Sequence, residues 1–115
     1  MPLDAPIERA ERWDVLIQQG STFKRSLEFE GLDLSLFSLR GQIRRAHAAP
    51  TALAEYEFEL EGTNVLHISL PDSVTEALPE GRLVHDVEIY VDEPGHQFVA
   101  RVLEGNVTVT PEVTR

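Results

Sequence analysis

The chain has 115 residues, no cysteine, and 20 acidic against 10 Lys and Arg side chains, for a net charge of −10. Such a length suits one domain with one core, and the missing thiols exclude a disulfide framework and any thiolate metal site. The charge argues against nucleic acid and anionic membrane as partners, since both would repel it.

An apolar content of 42% is too high for a disordered chain. No apolar run approaches the roughly 18 residues of a membrane span. The opening MPLDAPIERAERW has no apolar h-region, so no signal peptide is expected and synthesis in the cytoplasm is. Residues 1–13 lack strand periodicity. Asp4 could cap a short helix with Pro6 in its first turn, but too few residues follow to hold it alone. The expectation is an N-terminal arm over 1–13, ending at the sole tryptophan, Trp13, and a domain over 14–115.

From Asp14 the apolar period becomes two. DVLIQQ (14–19) reads as a strand and GST (20–22) as a turn. FKRSLEFE (23–30) puts Phe23, Leu27 and Phe29 on one face. Arg25 shares that face, which requires an edge position or a carboxylate partner. GLDLSLF (31–37) reads as a loop tucking Leu32, Leu34 and Leu36 or Phe37 under the sheet. SLRGQIRR (38–45) is a strand with Leu39 and Ile43 inward and Arg40, Gln42 and Arg44 outward. EYEFELEGTNVLHISL (55–70) is the clearest hairpin: Tyr56, Phe58 and Leu60 alternate with Glu55, Glu57, Glu59 and Glu61, then Gly62-Thr63-Asn64 turns into Leu66, Ile68 and Leu70.

Ser73 with Glu76 three residues on is a capping-box pattern, predicting one or two helical turns with Val74, Ala77 and Leu78 inward, ended by Pro79. RLVHDVEIYV (82–91) is apolar in both phases and is expected to be central, facing the core through Val87, Ile89 and Val91 or through Val84 and Tyr90. QFVARVLEGNVTVT (97–110) is the last strand. Phe98, Ala100 and Val102 share one phase, and Leu103, Val107 and Val109 the other, which predicts a β-bulge at Glu104-Gly105. About seven short strands and one crossing helix indicate an all-β fold, an antiparallel immunoglobulin-like β-sandwich.

Motifs of chemistry are sparse. His47, His67, His85 and His96 show no metal-ligand spacing and read as surface or half-buried imidazoles. The glutamates of 55–61 stand about 6.5–7 Å apart along a strand, too far for two to share one ion, and read as a solvated face. Lys24, Arg25, Arg40, Arg44 and Arg45 lack the aromatic platforms of a nucleic-acid site and are expected to pair with the glutamates across strands or with an acidic protein. There is no G-x-S-x-G and no glycine-rich phosphate loop. The reading is of a chain that is not an enzyme and takes no cofactor and no metal.

Three stretches carry a resemblance. IQQGSTF (17–23), ISLPDSVTEALPEGRLVHDVEIY (68–90) and VARVLEGNVTVTPEVTR (99–115) resemble motifs of small immunoglobulin-like structural proteins of tailed bacteriophages, over about residues 14–115. Leu83-Val84-His85 departs from the aromatic that family carries there, the position a tyrosine corner would use. The resemblance implies a virion protein without enzymatic activity or cofactor. It would dock onto other phage virion proteins in the tail, baseplate or fibre attachment, with homo-oligomeric copies in the particle. A capsid decoration protein is the alternative. A carbohydrate-binding module is a third reading, but it wants a row of exposed aromatics, and one Trp, two Tyr and five Phe leave few for that. Ile7 and Trp13 of the arm are the expected partner anchors; alternatively Trp13 folds back over one end of its own sandwich.

Overall fold

The structure, a computed structural model, describes residues 10–113. Along the chain run strands β1 (Glu11–Arg12), β2 (Val15–Gln18) and β3 (Phe23–Glu28). A 3-10 turn (Leu34–Leu36) leads into β4 (Ser38–Arg44), β5 (Ala54–Glu55), β6 (Glu57–Glu61) and β7 (Val65–Leu70). Helix α1 (Asp72–Glu76) then crosses to β8 (Gly81–Glu93) and β9 (His96–Thr110). One sheet has the order β1-β9-β8-β4-β5, with β2 also on β9; the other is β3-β7-β6. This is the immunoglobulin-like sandwich arrangement, an all-β fold as the alternation implies. Two features go beyond the antiparallel expectation. β1 and β2 both run parallel to β9 (Glu11↔Leu103, Val15↔Val107), so the sheet begins at residue 11, within the expected arm. Ile7 lies outside the described residues.

The hairpin 55–70 has the expected register. Tyr56, Leu66, Ile68 and Leu70 are buried, Phe58 and Leu60 half-buried, and the four glutamates exposed. Its first limb also changes sheets: Ala54–Glu55 pair with β4, and Glu57–Glu61 with β7. At the switch the Tyr56 N–H donates to the Gly41 carbonyl (2.9 Å). A side chain at Gly41 would press on the Tyr56 and Phe58 rings at 3.0 Å, so the glycine makes room for both. Arg25 meets its requirement by position. β3 is an edge strand, and the guanidinium lies 4.6 Å over the Phe23 ring.

Local expectations for α1, β8 and β9 are corrected. The Ser73–Glu76 capping box does not form. Pro71 caps α1 without a side-chain bond, and the Ser73 N–H is taken by Asp72 Oδ1 (2.9 Å). Leu78 is buried and Val74 packs on the core as expected, but Thr75 is buried and Ala77 exposed, the Thr75 hydroxyl donating to the Ser21 carbonyl (2.8 Å). Thr75→Val is expected to orphan that carbonyl and cost about 1–2 kcal/mol, read as a lower urea midpoint with unchanged slope.

β8 takes a single inward phase, Leu83, His85, Val87 and Ile89, and Val91 is only half-buried. The parity slip in β9 is real but sits two residues earlier than expected. Val87 pairs with Leu103 and Glu88 with Arg101, leaving Val102 as the extra residue. Val102 and Leu103 then both turn inward, at 6% and 5% exposure. Gly105 does not have a positive φ. It is glycine because the backbone of Trp13 lies against it: an added Cβ would fall 2.7 Å from Asp14 Oδ1 and closer still to the Trp13 carbonyl oxygen.

Candidate interaction sites

The junction of β1 and β2 is pinned to the sandwich by a buried polar chain. The Trp13 N–H donates to the Glu104 carbonyl (2.8 Å), and the Trp13 carbonyl accepts from His85 Nε2 (2.6 Å). A carbonyl only accepts, so Nε2 carries the proton, and in the neutral ring Nδ1 accepts from the Tyr56 hydroxyl (2.6 Å). The indole stacks on the imidazole at 5.1 Å and packs against Phe23 and Tyr56. Burial lowers the His85 pKa and raises that of Tyr56, which keeps both neutral. Next to them, Asp14 accepts from the Asn106 N–H (2.8 Å) and from Arg12 Nε (2.9 Å), bonds that together hold its carboxyl below the usual range.

Trp13 therefore packs on its own chain, the contact that the fold-back alternative calls for. The half-buried side chain also lines a cleft with Leu27, Phe29 and Leu103. His85, expected at or near the surface, is only 3% exposed. The missed signal was its alternation with Val87 and Ile89: an imidazole in a core phase needs a partner for each nitrogen.

A second histidine lies on the outer face of the β3-β7-β6 sheet. His67 Nε2 donates to Glu61 Oε1 (2.8 Å), and Nδ1 accepts from the Ser26 hydroxyl (2.6 Å). Serine, imidazole and carboxylate in line resemble a nucleophile with its base and orienter. Here they link three neighbouring strands across a flat face, and Ser26 and His67 are direct cross-strand partners. None of the clefts described below is lined by any of the three. The arrangement acts as a polar ladder.

On the outer face of the larger sheet, the basic residues are matched mostly by β8 and β9 rather than by the glutamate row. Arg40 bonds Glu88 (2.6 Å) and covers Tyr90, while Arg101 bonds Glu104 (2.9 Å) and approaches Asp86 (3.5 Å). Gln42 reaches Glu55 (3.1 Å), and Arg44 bonds Gln42 and the Ala49 carbonyl. A shallow cleft of about 360 Å³ lies among Arg40, Arg44, Asp86 and Glu88. Burial raises the Asp86 pKa.

One side of the sandwich is a seam. β1 and β2 belong to the larger sheet and β3 to the smaller, and no backbone ladder joins them. Two clefts lie along it. One, of about 470 Å³, is lined by Glu11, Trp13, Leu27, Phe29, Leu32 and Leu103 among others. The other, of about 270 Å³, adjoins Leu16, Phe23 and Arg25. Leu16 is 48% exposed there. Among the described residues, no group of three or more His, Asp or Glu could hold a metal ion, and no helix is long and apolar enough to cross a membrane. No protein-family model matches the chain, and no curated protein matches it.

Proposed function

We propose that the chain is a structural module of a tailed-phage virion that docks onto other virion proteins in the tail or baseplate. One observation carries the reading: the opening and closing motifs of the resemblance, distant in sequence, are neighbours in the fold. β2 and β9 run side by side with Ile17 opposite Val109, and the Gln19 N–H donates to the Thr110 carbonyl (3.0 Å). The Gln19 side chain in turn accepts from the Glu112 N–H (3.3 Å). Two motifs that make one corner together are weightier than two separate matches. The surface offered to a partner is the seam beside β3, with exposed Leu16 and half-buried Trp13, Leu27 and Phe29. Ile7 of the arm and Trp13 are the proposed anchors.

The test is to purify particles of the encoding phage, separate tails from tailless heads, and probe each fraction with an antibody to the chain. Signal in the tails is expected. Signal confined to heads would move the reading to capsid decoration, and absence from both would overturn a virion role.

A further inference from the structure

The free edge of β3 is self-complementary, and we infer that two copies of the chain pair there, β3 against β3, about a two-fold axis at Ser26. β3 has β7 as its partner on one side and, among the described residues, no strand on the other. The direction of its backbone groups follows from two bonds. The Phe29 N–H reaches the Asn64 carbonyl (2.8 Å) in line with the β7 ladder, so the odd-numbered residues bond inward. The Lys24 carbonyl accepts from Arg25 Nη1 (2.8 Å), away from that ladder. Lys24, Ser26 and Glu28 therefore direct their N–H and C=O groups outward.

An antiparallel partner hydrogen-bonded to those three positions must use even residues of its own. With the axis at Ser26, that register sets Ser26 against Ser26 and Lys24 against Glu28 of the second copy, twice by symmetry. Lys24 and Glu28 are both exposed on the outer face, where directly opposite unlike charges attract. On the inner face the same register sets Phe23 against Phe29 and Arg25 against Leu27. The product is a continuous six-stranded sheet, three strands from each copy. Shifting the axis to Leu27 would set Lys24 against Glu30, also twice, but Glu30 lies in the turn beyond the end of β3 and Ser26 would then face Glu28. Arg25 is the guard on this edge: its guanidinium must leave the Lys24 carbonyl before the strands can zip, which weakens the pairing.

Such a dimer would occupy part of the seam beside β3 that the virion reading offers to a partner, but it is tested on the isolated chain, so its failure leaves that reading as it was. Sedimentation equilibrium on the full chain is expected to show dimers forming with concentration. Lys24→Glu alone, or Glu28→Lys alone, sets like charges opposite each other twice and is expected to weaken the dimer on the order of tenfold or more. Mixing the two variants restores every opposite pair, so the mixture should form heterodimers at least as tightly as the wild type forms homodimers. Circular dichroism and melting of each variant check that the fold is kept. A wild type that stays monomeric at the highest concentrations overturns the inference, as would charge variants that dimerise unchanged or fail to associate when mixed.

Discussion

Replacing Gly105 by valine is expected to destabilise the fold by about 2–4 kcal/mol and to free the N-terminal strand. The reason is contact, since Gly105 has no positive φ to protect. A Cβ there would collide with the Trp13 carbonyl and the Asp14 carboxylate. Those atoms cannot simply shift, because the Trp13 carbonyl is held by His85 and Asp14 by the Asn106 N–H. The least costly response is release of β1 and the start of β2 from β9. Trp13 is the only tryptophan, so its emission should move to the red in Gly105→Val at temperatures where β-sheet dichroism persists. A variant with wild-type melting and unshifted emission would show that the backbone accommodates the side chain.

His85 carries the second large effect. His85→Phe keeps the ring volume but leaves the Tyr56 hydroxyl and the Trp13 carbonyl without partners. Two orphaned buried groups should cost about 2–4 kcal/mol. His85→Gln, with a donor and an acceptor on one side chain, should recover part of that loss, which a purely steric role would not produce. The same residue gives stability a sign with pH. Its folded pKa is lowered from 6.5, chiefly by burial and against the opposing pull of the Trp13 carbonyl and of Asp86 and Asp14. As pH falls below 6.5 the unfolded chain takes up the proton first, so stability is fully present above that pH. It is then lost progressively down to the folded pKa, by at most about 1.4 kcal/mol per pH unit. Denaturant titrations between pH 7.5 and 5 should show this slope in the wild type and a shallower one in His85→Phe. Equal slopes would remove His85 from the acid response.

The sequence by itself determined the fold class and most of the sheet faces. Alternation in 55–70 and 38–44 identifies inward residues because the strand period is two and one face must be dry. The parity slip in 97–110 likewise announces a bulge. Local pattern could not decide which residue absorbs the slip. Glu104-Gly105 has the composition of a bulge, yet Val102 is the extra residue, because Gly105 is reserved for the approach of a backbone 92 positions away in sequence from its neighbour Asn106.

The same limit applies to the pin. His85 could be read in an inward or an outward phase, Tyr56 as an inward residue whose hydroxyl had no assigned partner, and Trp13 as the end of an arm. Only the crossing of β8, the β5–β6 switch and the β1–β2 junction in space gives both imidazole nitrogens a partner. The free edge of β3 is tertiary information as well. Lys24 and Glu28 are plain in the sequence, but their availability to a second copy depends on which strands the sheet leaves unpaired. That choice was made when β1 and β2 joined β9 in the opposite sheet, where the backbone of Trp13 could bond both Glu104 and His85.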